Sequence, residues 1–116
     1  QHLIDHGVMM VAEGANMPTT PKAIELLRKH DILFAPGKAA NAGGVLVSGL
    51  EISQNASFNP WPFKKVDQKL KTTMKLILND IYEASKRYGK ENDLLFGANV
   101  HSFKKIARAM IQQGLI

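Results

Sequence analysis

The sequence predicts an α/β protein: one strand–helix–strand unit with parallel strands, followed by helices alone. Three observations predict it. Two short apolar runs, Gly7–Ala12 and Ile32–Ala35, flank a segment with helical spacing. The joints between these pieces are only a few residues long, as in a βαβ unit. Beyond Asn59 the apolar residues recur at spacings of three and four, the period of a helix with one buried face.

Taken in order, Gly7-Val8-Met9-Met10-Val11-Ala12 is apolar throughout and stops at Glu13-Gly14-Ala15-Asn16. It reads as a parallel strand covered on both faces. Thr19-Thr20-Pro21 supplies an N-cap and a first-turn proline, and Lys22–His30 continues as a short helix with Ala23, Ile24 and Leu27 inward. Ile32–Ala35 is the second strand, halted by Pro36-Gly37, and the crossover is right-handed. A further helix covers Val45–Asn55. Phe58-Asn59-Pro60-Trp61-Pro62 is a breaker with an aromatic anchor. A long amphipathic helix follows, with Phe63, Val66, Leu70, Met74, Ile77 and Ile81 forming one apolar stripe and Gly89 ending it. Gly97–Gln113 is the last helix, with Val100, Phe103, Ile106 or Ala107, and Met110 inward and Gly114 as its stop. Two strands do not make a stable sheet unaided, and the chain opens on Gln1. The expectation is a processed or excised piece of something larger.

Composition narrows the function classes. A chain of 116 residues, 45% hydrophobic and 22% charged, is ordinary for one globular domain. It has no apolar run of the roughly 18 residues that a membrane helix needs, and QHLIDHGVMM lacks the blocks of a signal peptide. Without cysteine there are neither disulfides nor thiolate metal sites. The net charge of +5 comes from Lys64–Lys90, where eight Lys/Arg face three acids. No stacking aromatics interleave with these lysines, so the segment reads as a solvated helix face, with neither nucleic acid nor membrane as partner.

Ligands of parallel sheets bind beyond the carboxyl ends of the strands. Here those ends are Glu13–Asn16 and Ala35–Gly44, each with small residues and one amide side chain, Asn16 and Asn41. Gly43, Gly44 and Gly49 keep bulk away, either for a flat ligand or for close packing of helix on sheet; both readings stand. No G-x-G-x-x-G or Walker loop occurs, and Ser48 lacks the G-x-S-x-G elbow, which leaves it a hydrogen-bond donor rather than a nucleophile. His2, Asp5 and His6 have helical metal-ligand spacing but no third strong partner, so they read as a surface helix end, with no metal expected. His30 and His101 read as surface or interface histidines, and the sequon Asn55-Ala56-Ser57 as chance. No pair of carboxylates is placed for acid–base work. The residues alone leave open a free-standing ligand-binding or regulatory α/β module, and a basic helical interaction module.

Two longer stretches are more specific. VAEGANMPTTPKAI (Val11–Ile24) and LFAPGKAANAGGVLVSGLEISQNAS (Leu33–Ser57) resemble the C-terminal part of the hexameric glutamate dehydrogenases, most closely the NADP-linked small-subunit group. Trp61, the helix after it and the closing GANVHSFKKIARAMIQQGLI fit as well, so the resemblance covers essentially the whole chain. Leu46-Val47 and Phe58-Asn59-Pro60 depart from the pattern.

The resemblance implies an incomplete Rossmann-like dinucleotide-binding domain followed by C-terminal helices. Residues 1–91 would complete that domain, and residues 92–116 would return to a substrate domain. It implies interconversion of L-glutamate with 2-oxoglutarate and ammonia, with NADP as cofactor and NAD as the alternative. Asn16, flanked by Gly14 and Ala15, would hold the nicotinamide ribose, and Asn41 would sit near the nicotinamide and the substrate's α-carbon end. Val45 would line the side-chain slot and Ser48 would donate to the γ-carboxylate. The catalytic lysine and aspartate lie upstream in the family, and Lys38 occupies a loop position not used for catalysis. The chain alone is therefore expected to be inactive, the parent enzyme a hexamer, and the compartment cytoplasmic, with an organelle as the alternative.

Overall fold

The structure is a computed structural model that describes residues 1–115. The chain order is α1 (His2–Asp5), β1 (Met10–Ala12), α2 (Pro21–Lys29), β2 (Leu33–Ala35), α3 (Gly37–Ala40), α4 (Ala42–Ser57), α5 (Phe63–Arg87) and α6 (Leu94–Gln112). The strand–helix–strand reading holds. β1 and β2 pair in parallel, with Met10, Val11 and Ala12 opposite Leu33, Phe34 and Ala35. Thr20 caps α2 by accepting the Ala23 N–H at its hydroxyl, and Pro21 opens the helix, where a missing N–H costs nothing.

Successive residues of a strand face opposite ways, so β2 serves two cores. Phe34 packs with Leu27 and Ile32, backed by Ile4, Val11, Ile24 and Leu95. Ala35 lies on the other side with Ala39, Ile81, Leu94 and Ala98, backed by Leu33 and Ile77. The helical hairpin α5–α6 supplies that second layer. Its two helices close to backbone distance at Gly97, where a side-chain carbon would lie 2.0 Å from the Ile81 carbonyl oxygen and 3.2 Å from the Ser85 side chain. Ser85 is fully buried there, its hydroxyl donating to the Tyr82 carbonyl. Asp93 joins the layers. Its carboxylate caps α6 by accepting the Phe96 N–H and also pairs with Arg28 of α2.

Several expectations are corrected. β1 is not covered on both faces: Met10 is half exposed and Ala12 is exposed, because the sheet has two strands among the described residues. Gly37–Ala40 forms an unanticipated helical turn, and the helix after it starts at Ala42 rather than Val45. Glycine in the sequence disguised a helix that packing supports, since Gly43 seats against Leu70 and Met74 of α5. The last helix begins at Leu94, where Asp93 supplies the cap. Of the alternatives Ile106 and Ala107, Ala107 is the partly buried one, while Phe63 and Phe103, read as inward, are exposed. They follow the helical period but point to faces that no described residue covers. Trp61 anchors the turn before α5, with the Lys65 ammonium 3.9 Å from its ring centroid. His2, Asp5 and His6 form a surface turn, and no metal-holding cluster occurs among the described residues.

The Gly97 contact yields a direct expectation. Gly97→Val forces α6 off the Ile81 carbonyl, and overpacking of this kind costs about 3 kcal/mol or more. A thermal melt followed by circular dichroism should show a midpoint at least about 5 °C lower than the parent's, whereas Gly44→Ala, in open space on α4, should hold or raise it.

Candidate site at the carboxyl ends of the two strands

The loops leaving β1 and β2 are tied together by one carboxylate. Glu13 follows β1 directly and is 5% exposed. Its Oε2 accepts the Gly37 N–H at 2.7 Å and its Oε1 accepts the Thr19 N–H at 3.1 Å. The Glu13 N–H in turn donates to the Ala35 carbonyl, which carries the parallel ladder one step past the strands. Burial pushes the Glu13 carboxyl upward, but the bonds from Gly37 and from the Thr19 hydroxyl and N–H outweigh it and hold the group below 4.5. Gly37 is required here by space. A side-chain carbon would lie 2.6 Å from the Ala15 carbonyl oxygen and 3.2 Å from the Glu13 carboxylate.

This knot places the amide residues singled out from the sequence. Asn41, at the junction of α3 and α4, donates from Nδ2 to Oδ1 of Asn16 at 2.7 Å. The bond leaves the Asn16 Nδ2 donors and the Asn41 Oδ1 acceptor without a protein partner among the described residues. Gly14 and Ala15 are exposed beside them, with open space around Gly14. Asn41, Val45, Ser48 and Ile52 then recur along α4 at spacings of four, three and four, so they share one face. That face is bare: Val45 is 79% exposed and Ile52 68%. The opposite face, with Gly43, Leu46, Val47, Leu50 and Gln54, is partly buried, and the Gln54 side chain accepts the Trp61 N–H. Close packing accounts for Gly43, while Gly44 and Gly49 meet no neighbour.

The six residues named from sequence thus fall at one end of the sheet and along one helix face. The structure brings Asn16 and Asn41 into contact and leaves Val45 and Ser48 open on the same side of α4. A leftover donor pair and a leftover acceptor suit hydroxyl and carboxamide groups of a nucleotide, so the donor set fits the dinucleotide expected there. Lys38 points elsewhere, donating to the Asn99 side chain of α6. Sequence reasoning missed Glu13, although a single acid closing an otherwise apolar strand was a usable signal.

Comparison with known proteins identifies the family. Residues 1–114 match the glutamate/leucine/phenylalanine/valine dehydrogenase family. The chain is 48% identical to the glutamate dehydrogenase of Bacteroides thetaiotaomicron, covering 100% of this chain and 26% of that protein. It is 49% identical to the NADP-specific glutamate dehydrogenase of Helicobacter pylori, over 97% of this chain and 25% of the relative. Among solved structures, the Plasmodium falciparum glutamate dehydrogenase superposes with a TM-score of 0.89 at 46% identity, over 96% of this chain and 24% of that one. The chain spans about a quarter of the length of the relatives it matches.

Because Glu13 is held below its ordinary value, its contribution to stability is present above pH 4.5 and lost as pH falls through the lower folded value. Glu13→Gln leaves one N–H facing another and should cost about 1–3 kcal/mol at neutral pH. Unfolding titrations of parent and variant from pH 7 to pH 3 should show that gap narrowing below pH 4.5.

Proposed function

The chain belongs to the glutamate/leucine/phenylalanine/valine dehydrogenase family, and from that premise we propose that it is the C-terminal part of a glutamate dehydrogenase. The parent enzyme oxidises L-glutamate to 2-oxoglutarate and ammonia, or runs the reverse, with NADP as cofactor. Relatives named as NADP-specific glutamate dehydrogenases support this substrate and cofactor. One observation carries the reading: the Asn16–Asn41 pair stands at the strand ends with Val45 and Ser48 open along the adjoining helix.

Each residue has a role that its chemistry suits. Asn16, with Gly14 and Ala15 leaving room beside it, holds the nicotinamide ribose through its spare amide protons. Asn41 offers its carbonyl oxygen toward the nicotinamide and the α-carbon end of the substrate. Val45 forms the apolar wall of the side-chain slot, and the Ser48 hydroxyl donates to the γ-carboxylate. Discrimination follows from this pairing, because a diacid satisfies the hydroxyl and an apolar side chain leaves it bare. NADP, when bound, supplies the hydride acceptor. Residues 1–91 belong to the cofactor domain, and residues 92–116 form the helix that returns to the substrate domain. The assembled enzyme is a cytoplasmic homohexamer.

In the full-length enzyme, Ser48→Ala should lower kcat/KM for glutamate about 10- to 100-fold, as expected when a charged group loses a hydrogen bond. Asn16→Ala should instead weaken NADP binding in a direct titration. Steady-state kinetics showing an unchanged glutamate KM and kcat for Ser48→Ala overturns the assignment of the γ-carboxylate. Residues 1–116 alone should reduce no NADP in the presence of glutamate, because the catalytic lysine and aspartate of the family are not among them.

A further inference from the structure

The surplus positive charge of α5 meets a second basic element that the sequence reading did not connect with it. Along α6, His101, Lys104, Lys105, Arg108 and Gln112 recur at spacings of three and four and share one face. With Asp80, Glu83 and Arg87 of α5 they line a groove of about 650 Å³ between the two helices. That volume lies within the range of small-molecule sites. Four cations and two carboxylates line it. Asp80 comes within 4.0 Å of His101, and none of Arg87, Lys104, Lys105 and Arg108 has an ion-pair partner among the described residues.

The charges are unevenly placed. Three of the four cations stand on the α6 wall, and both carboxylates stand on α5. Lys104 is half buried in the wall of the groove. The groove lies on the helical hairpin, whereas Asn16, Asn41, Val45 and Ser48 lie at the strand ends and along α4.

We propose that the α5–α6 groove binds a small, multiply charged anion of the oligophosphate class, held by Lys104, Lys105 and Arg108 from α6 and by Arg87 from α5. Arg87 and Arg108 offer planar donor forks that take two oxygens of one phosphate, and the two lysines serve as point charges for its neighbour. An anion of two or more phosphates offers separate oxygens to the cations of both walls. An extended acidic polypeptide is the other class of polyanion, and the clustering of all four cations around one groove favours the compact ligand.

The test uses the full-length protein with inorganic triphosphate as the probe, titrated calorimetrically at low salt and again at 0.2 M salt. Triphosphate should bind in the low-salt titration and weaken clearly with salt, because exposed charges are screened over about 8 to 10 Å at such ionic strengths. Lys104→Glu with Arg108→Glu should weaken binding at least about tenfold. Lys64→Glu with Lys71→Glu, an equal charge change elsewhere on α5, should leave it within about twofold. Thermal melts of both double variants confirm that they remain folded. Equal losses in the two variants would show a response to net charge only, which overturns the site. So would the absence of triphosphate binding at low salt, or binding of polyglutamate but not triphosphate.

Discussion

The arrangement at the strand ends depends on one buried carboxylate. Glu13 takes its two N–H donors from segments that are close in space but far apart in sequence: Thr19, in the loop before α2, and Gly37, at the start of α3. Without that double acceptance the two N–H groups would be buried without partners, and the loops that carry Asn16 and Asn41 would have no common reference. A negative charge suits this position because every neighbour named as bonding to it is a donor. The absence of a side chain at Gly37 is the complementary condition, since the carboxylate and the Ala15 carbonyl occupy the space that one would fill. Acid and glycine therefore work as a pair.

From this knot the rest follows by geometry. Fixing α3 fixes Asn41 at the head of α4, and the helical period then carries Val45, Ser48 and Ile52 down one side. The other side of α4 meets α5 at Gly43, with Leu46 and Leu50 partly buried on that side, so the helix is held with its serine outward. α5 is committed in turn to α6 and to β2 through Ile81 and Ala35. A site built this way places few polar groups on a rigid frame and keeps the approach to them clear.

Much of this was legible from residues alone, and the failures share one cause. The capping threonine, the first-turn proline and the apolar runs specify the βαβ unit locally, so it could be read without tertiary knowledge. Asn16 and Asn41 could be named from the strand-end rule, although their hydrogen bond could not, because it spans 25 residues. Helix periodicity gave which residues share a face, yet it did not reveal which face is covered. Phe63 and Phe103 show this: their period is correct and their burial is not. The helical turn at Gly37–Ala40 was hidden for a different reason. Its glycine is poor for a helix but is demanded by the Glu13 contact, so tertiary packing overrode local propensity.

Asp93 has a consequence beyond its cap. The same carboxylate ends the connection from α5, opens α6 and grips Arg28 on α2, while Gly97 seats α6 on the α5 backbone one turn later. Both attachments lie in the first turns of α6, and the remainder of that helix, through Gln112, extends past them with mostly exposed side chains. The start of α6 is thus its common anchor, shared with α2 and, through Leu94 and Ala98, with the strand that leads into Gly37.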